Sequence, residues 1–138
     1  MVKLDDFLDA YLECAVWSEL DDSEEGRPLT DRFTRLDFSN AGFVQATRDC
    51  RAFLDRAEKW IVDRYFKYVT AEHTTVAQAG HDFWLTRSGH GCGFWDGDWR
   101  EPARTILTNL AKSFNDLSII VGDDNKLYFD TLTTRKGN

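Results

Sequence analysis

Between His81 and Trp99 the chain gathers the side chains best suited to chemistry: His81, His90, Cys92, Asp96 and Asp98. Imidazole, thiolate and carboxylate are the ligands zinc prefers, and a thiol beside an imidazole is the pair that activates a cysteine nucleophile. The spacing argues against both. A structural zinc site takes its ligands as two close pairs, and here only His90-x-Cys92 is close. Gly89-x-Gly91-x-Gly93 is no phosphate loop either, because it lacks both the helix that should follow directly and the downstream Lys-Ser/Thr. No metal and no cofactor is expected. The enzymatic alternative is a small hydrolase or nuclease in which His81 or His90 works with Asp96. It requires two of His81, His90, Cys92 and Asp96 to converge in a cleft.

The same stretch is rich in tryptophan. Trp84, Trp95 and Trp99, with Arg87 and Arg100 nearby, have the chemistry of a base-stacking platform for single strands. A net charge of -7 opposes that use. Large aromatics more commonly anchor the core of a domain this small, or form the hot spot of a protein interface. Trp84, Trp95 and His90 are therefore candidate partner-binding residues alongside a core role.

The negative charge is concentrated at one end. Residues 1 to 25 hold nine acids, Asp5, Asp6, Asp9, Glu13, Glu19, Asp21, Asp22, Glu24 and Glu25, against Lys3 alone, whereas the other fifteen acids of the chain face sixteen Lys and Arg. Phosphate contacts need cations, so this end does not bind nucleic acid. It suits a partner with a basic surface, as a mimic of nucleic acid would, and all nine acids are candidate partner-binding residues. Asp5, Asp9 and Glu13 follow one another four apart, a like-charge spacing that costs a helix a few tenths of a kcal/mol per pair.

These residues must be positioned by a few elements. With 138 residues, 42% of them hydrophobic, the chain is sized for a single domain. Leu4, Phe7, Leu8, Tyr11, Leu12 and Ala15 recur at helical spacing opposite the acids, which predicts an amphipathic first helix, and the polar stretch Asp21 to Pro28 reads as a linker. Ser39 is a good N-cap for a second helix, with Phe38 poised to staple onto Phe43. Its seam runs through Phe43, Ala46, Cys50, Phe53, Ala57 and Trp60, and its end is expected between Tyr65 and Glu72. His81 to Thr86 and Cys92 to Asp96 are short and β-rich, so a hairpin turning at Gly89-His90 is expected, with Leu85 facing Phe94 and Trp84 facing Trp95. Asp98 is the expected cap of a third helix with Ala103, Ile106, Leu107, Leu110, Ala111 and Phe114 on its buried side. Leu117 to Val121 and Leu127 to Phe129 then form a last hairpin around a turn at 122–126, and the tail 131–138 is expected to fray. The predicted class is α+β, order α-α-β-β-α-β-β, with helices packed on one face of a small antiparallel sheet built from the two hairpins. Three widely spaced cysteines, Cys14, Cys50 and Cys92, suit free thiols, and neither a secretion signal nor a long apolar run is present, so a cytoplasmic location away from membranes is expected.

Asp82 to Arg87, Gly89 to Gly91 and Gly93 to Asp96 match a signature, D-F-W-L-T-R-x-G-H-G-x-G-F-W-D, through which the chain resembles a family of uncharacterised bacteriophage and mobile-element proteins. Val121-Gly122-Asp123-Asp124 with Lys126 and Tyr128 is similar to a second motif of that family. Cys92 and Asn125 depart from it, at positions where small residues or glycine are usual. The resemblance covers the C-terminal half and implies a phage setting. Small accessory proteins of phages often disable host machinery such as restriction and CRISPR systems. An inhibitory, anti-restriction or anti-CRISPR role against a host protein is thus the expectation, with oligomeric state left open.

Overall fold

The computed structural model describes residues 2–21 and 26–131. Helix α1, Leu4–Ser18, forms where the apolar arc requires it, burying Phe7, Leu8, Tyr11, Leu12 and Ala15 together with Ala10, Cys14 and Val16. A two-residue hairpin follows, β1 (Leu20–Asp21) paired antiparallel with β2 (Arg27–Pro28), where a linker was expected. Asp22, Glu24 and Glu25 lie outside the described residues, as does the tail beyond 131 whose fraying was expected. Short 3-10 turns at Leu29–Asp31 and Arg35–Asp37 lead to α2, Asn40–Ala57. Ser39 caps it as anticipated, its Oγ accepting from the Gly42 N–H at 3.0 Å. The staple does not form. Phe38 stacks on Phe129 with ring centroids 4.9 Å apart, leaving Phe43 half exposed. Helix α2 also stops earlier than expected, tightening into a 3-10 turn at Glu58–Trp60. Beyond it Phe66 is drawn into an antiparallel bridge with Trp99, which a continuing helix would prevent.

The principal correction concerns residues 81–96. There is no hairpin: Thr75–Arg87 is a helix, α3, and 88–99 is a glycine-rich loop. Trp84 and Trp95 are not cross-strand neighbours, nor are Leu85 and Phe94. The physical reason is burial on nearly every side. Ala79, Gly80, Asp82, Phe83, Trp84, Thr86 and Arg87 are all buried, so α3 lacks the polar face that would betray a helical period. Its start is nevertheless capped, the Thr74 Oγ1 accepting from the Ala77 N–H at 3.1 Å. Gly80 lets α1 and α3 touch: a Cβ there would stand 2.6 Å from the Phe7 carbonyl oxygen.

Helix α4, Ala103–Lys112, buries Ala103, Leu107 and Ala111 as the spacing predicts, but Pro102 rather than Asp98 precedes its first turn. The last hairpin stands as expected, β3 (Leu117–Val121) with β4 (Leu127–Thr131) in a register that opposes Ile119 to Phe129. Asn125 takes φ +61° in its turn, a conformation asparagine tolerates nearly as well as glycine. The protein is thus a mixed helix and sheet fold, α-β-β-α-α-α-β-β. Its two antiparallel hairpins remain separate two-stranded sheets rather than one platform. The core lies between α1, α2 and α3, where Phe7, Tyr11, Phe53, Phe83 and Phe94 stack on one another.

Candidate functional site

The D-F-W-L-T-R residues other than Leu85 turn inward, whereas Gly89, His90, Gly91, Trp95 and Asp96 of the signature are exposed. Trp84 is fully buried, its Nε1 donating to Ser18 Oγ at 2.9 Å. Of its two expected roles the structure shows the core one, and burial takes Trp84 off the candidate binding surface. The Asp82 carboxylate accepts from Trp99 Nε1 at 2.8 Å and Gln78 Nε2 at 3.1 Å, and burial raises its pKa to about 6. Arg87, buried to 3% exposure, joins three elements: it donates to Asp49 at 2.7 Å, to the Tyr11 hydroxyl at 3.3 Å and twice to the Asn115 carbonyl. Thr86 Oγ1 accepts from the Phe94 N–H at 3.2 Å, and Gly93 crosses over it with φ +155°. The D-F-W-L-T-R stretch is thus a scaffold that ties α3 to its loop and neighbours.

The side chains considered for catalysis are dispersed. His90 pairs with Glu19 at the end of α1, while the Asp96 carboxylate accepts from the Gly93 N–H at 2.7 Å. The two clefts that His81 lines contain none of His90, Cys92 and Asp96. Cys14 and Cys50 are buried and Cys92 is partly so, and burial is the main cause that raises the pKa of each thiol, keeping it protonated. Among the described residues no group of three or more His, Cys, Asp or Glu is arranged to hold a metal ion, and no helix is long and apolar enough to cross a membrane.

The acids of α1 divide by environment. Asp5, Asp6 and Glu13 are exposed and form no ion pair with any described residue, whereas Asp9 is partly covered and meets Arg35 at 3.5 Å. Asp21 is buried to 1% exposure and held by two donors of Arg32, at 3.0 and 3.3 Å, so it is an internal brace rather than a contact for a partner. Glu19 is engaged by His90. Trp95 is 37% exposed, with the Lys112 ammonium 5.1 Å from its ring centroid.

Beside these acids lie two adjoining grooves. One, about 510 Å³, runs between α1 and α3 and is lined by Asp6, Asp9, Glu13, Val76 and His81. The other, about 730 Å³, is walled mainly by Val16, Trp17, Phe33 and Leu36, with Thr30, Thr34 and Arg35 also lining it. Glu13 and His81 line both, so the acidic and the apolar groove adjoin at these two side chains. Burial lowers the His81 pKa, against an opposing pull from Glu13. Trp17 and Leu36 are 67% and 75% exposed, unusual for side chains of their size. Sequence reasoning missed this groove, although one signal was present: Trp17 is the next step of the four-residue spacing that runs Asp5, Asp9, Glu13. No protein-family model, curated protein or solved structure matches the chain.

Proposed function

We propose that this chain is a phage-encoded accessory protein that binds a host protein with a basic surface and inhibits it. The target class is a nucleic-acid-handling defence complex of the restriction or CRISPR type, whose cationic groove the carboxylates of α1 would occupy in place of nucleic acid. One observation carries the reading: Asp5, Asp6 and Glu13 are exposed without a cation among the described residues, although the rest of the chain balances its charges. The helix dipole favours Asp5 and Asp6 in the first turn, but Asp5, Asp9 and Glu13 repel one another four apart, and a basic partner would neutralise the charge that this chain leaves exposed. The phage setting rests on the D-F-W-L-T-R resemblance alone, and the scaffold role of those residues accounts for such a signature without catalysis.

The test is capture from bacterial lysate by the immobilised protein, with mass spectrometry, beside a D5N/D6N/E13Q variant. The reading expects a basic protein retained by the wild type and lost from the variant. It also expects that protein's own activity to fall when the wild type is added. Equal capture by both proteins would refute it.

A further inference from the structure

Three features invite a further role: the exposed Phe43 and Val44 on α2, the glycine loop 88–99 pinned by His90 and Glu19, and the two adjoining grooves along α1. The first has nothing to say what covers it, and the second is explained by its scaffold contacts. The grooves go further, because they differ in chemistry and together specify an occupant. Asp6, Asp9 and Glu13 rise along the same helix that ends in Trp17, and at 1.5 Å per residue the run from Asp6 to Trp17 spans about 16 Å. The acidic end already accepts a guanidinium, that of Arg35 on Asp9. Asp6 and Glu13, about 10 Å apart along the axis by the same rise, pair with no described cation. At the other end Val16, Trp17, Phe33 and Leu36 leave a mainly apolar cavity of about 730 Å³, with Thr30, Thr34 and Arg35 also on its wall, which has room for a large side chain.

We propose that the adjoining grooves bind a peptide segment of the partner in which two Lys or Arg side chains, about 10 Å apart, lie to one side of a large apolar residue. The cations meet Asp6 and Glu13, and the apolar side chain enters between Trp17 and Leu36. This rests on the reading of α1 as the functional surface and adds the sequence character of what it recognises. An acidic run alone would accept any cationic surface. The apolar end makes the difference, since a buried aromatic or aliphatic anchor supplies specificity that rim charges do not.

The experiment is selection of a displayed library of random 16-residue peptides on the immobilised full chain, followed by affinity measurement of the enriched peptides on four proteins. These are wild type, W17A, L36A and D6N/E13Q. The mutated side chains are exposed, so their truncation should leave the fold intact, which circular dichroism and melting verify. The proposal expects enriched peptides with paired cations to one side of Trp, Phe or Leu. It expects affinity to fall at least tenfold in W17A and in D6N/E13Q, and measurably in L36A. Peptides that depend on Asp6 and Glu13 but not on Trp17 or Leu36 would overturn the groove while leaving the acidic surface standing. Peptides that depend on neither would overturn both. No enrichment, or a wild-type dimer dissolved by W17A, would overturn the proposed occupant.

Discussion

Asp82 sits at 3% exposure with two N–H donors and no cation of its own to match its charge. Desolvation outweighs those hydrogen bonds and lifts its pKa from 3.8 to about 6. The folded protein therefore holds this proton more tightly than the unfolded chain. The resulting stability is complete below about 3.8 and is lost as pH rises through about 6. At about 1.4 kcal/mol per unit the loss is on the order of 3 kcal/mol. Asp82→Asn keeps an oxygen for the Trp99 N–H and never ionises. Its melting temperature relative to wild type should climb between about pH 4 and 6 and then level off, and a difference that is flat across that range would contradict the assignment. Gly93 offers a second residue-scale test. A Cβ there would stand 2.1 Å from Thr86 Oγ1 at φ +155°, whereas at Gly89, φ +73°, it would meet nothing within 4 Å. Gly93→Ala should thus cost several kcal/mol, against about 1 for Gly89→Ala, as read from denaturant melts. Equal losses would mean that the loop yields freely over Thr86.

At the scale of elements, Arg87 shows what α3 does. Its guanidinium reaches α2 through Asp49, α1 through Tyr11 and the segment before β3 through Asn115. Removing one partner of a buried ion pair typically costs about 3 to 5 kcal/mol, so Arg87→Ala should approach unfolding. Arg87→Lys should recover only part, because an ammonium cannot fork to Asn115 while reaching Asp49. Full recovery in chemical denaturation would show that charge, not geometry, is what matters. Helices α1, α2 and α4 and the β3–β4 hairpin were legible because each has one wet face, and alternation between apolar and polar is what periodicity detects. Helix α3 was not, since Asp82, Thr86 and Arg87 are polar residues that the core accommodates with internal partners, and its aromatics read as strand. The Thr74 cap was its one visible sign. The acids of α1 were legible from spacing, but the groove was not: Trp17, Phe33, Leu36 and His81 come from separate segments and meet only in the fold. The core role of Trp84 was legible from its size, but its tie to Ser18, 66 residues away, was not, and the burial of Asp21 was hidden because it depends on Arg32 beyond the β1–β2 turn.

Over the whole molecule, a nearly neutral remainder carries a strongly acidic N-terminal segment, four of whose nine acids lie on α1. Fifteen acids and sixteen bases beyond residue 25 nearly cancel, so the field outside the protein is set by its N-terminal segment. Such a field would guide a basic partner toward α1 before any contact forms, raising the association rate, and salt would suppress it, since the screening length shrinks to about 8 Å at 0.15 M. The direct measurement is association kinetics between the immobilised protein and the host protein it captures, for wild type and for D5N/D6N/E13Q, at about 0.05 and 0.15 M salt. The on-rate of the variant should be roughly tenfold lower at the lower salt, with a gap that narrows at the higher salt, while its melting temperature stays close to that of the wild type, because the lost dipole interaction of Asp5 and Asp6 and the relieved repulsion on α1 oppose each other. Equal on-rates with equal salt dependence would show that the acids of α1 are a solvated face and not the functional surface.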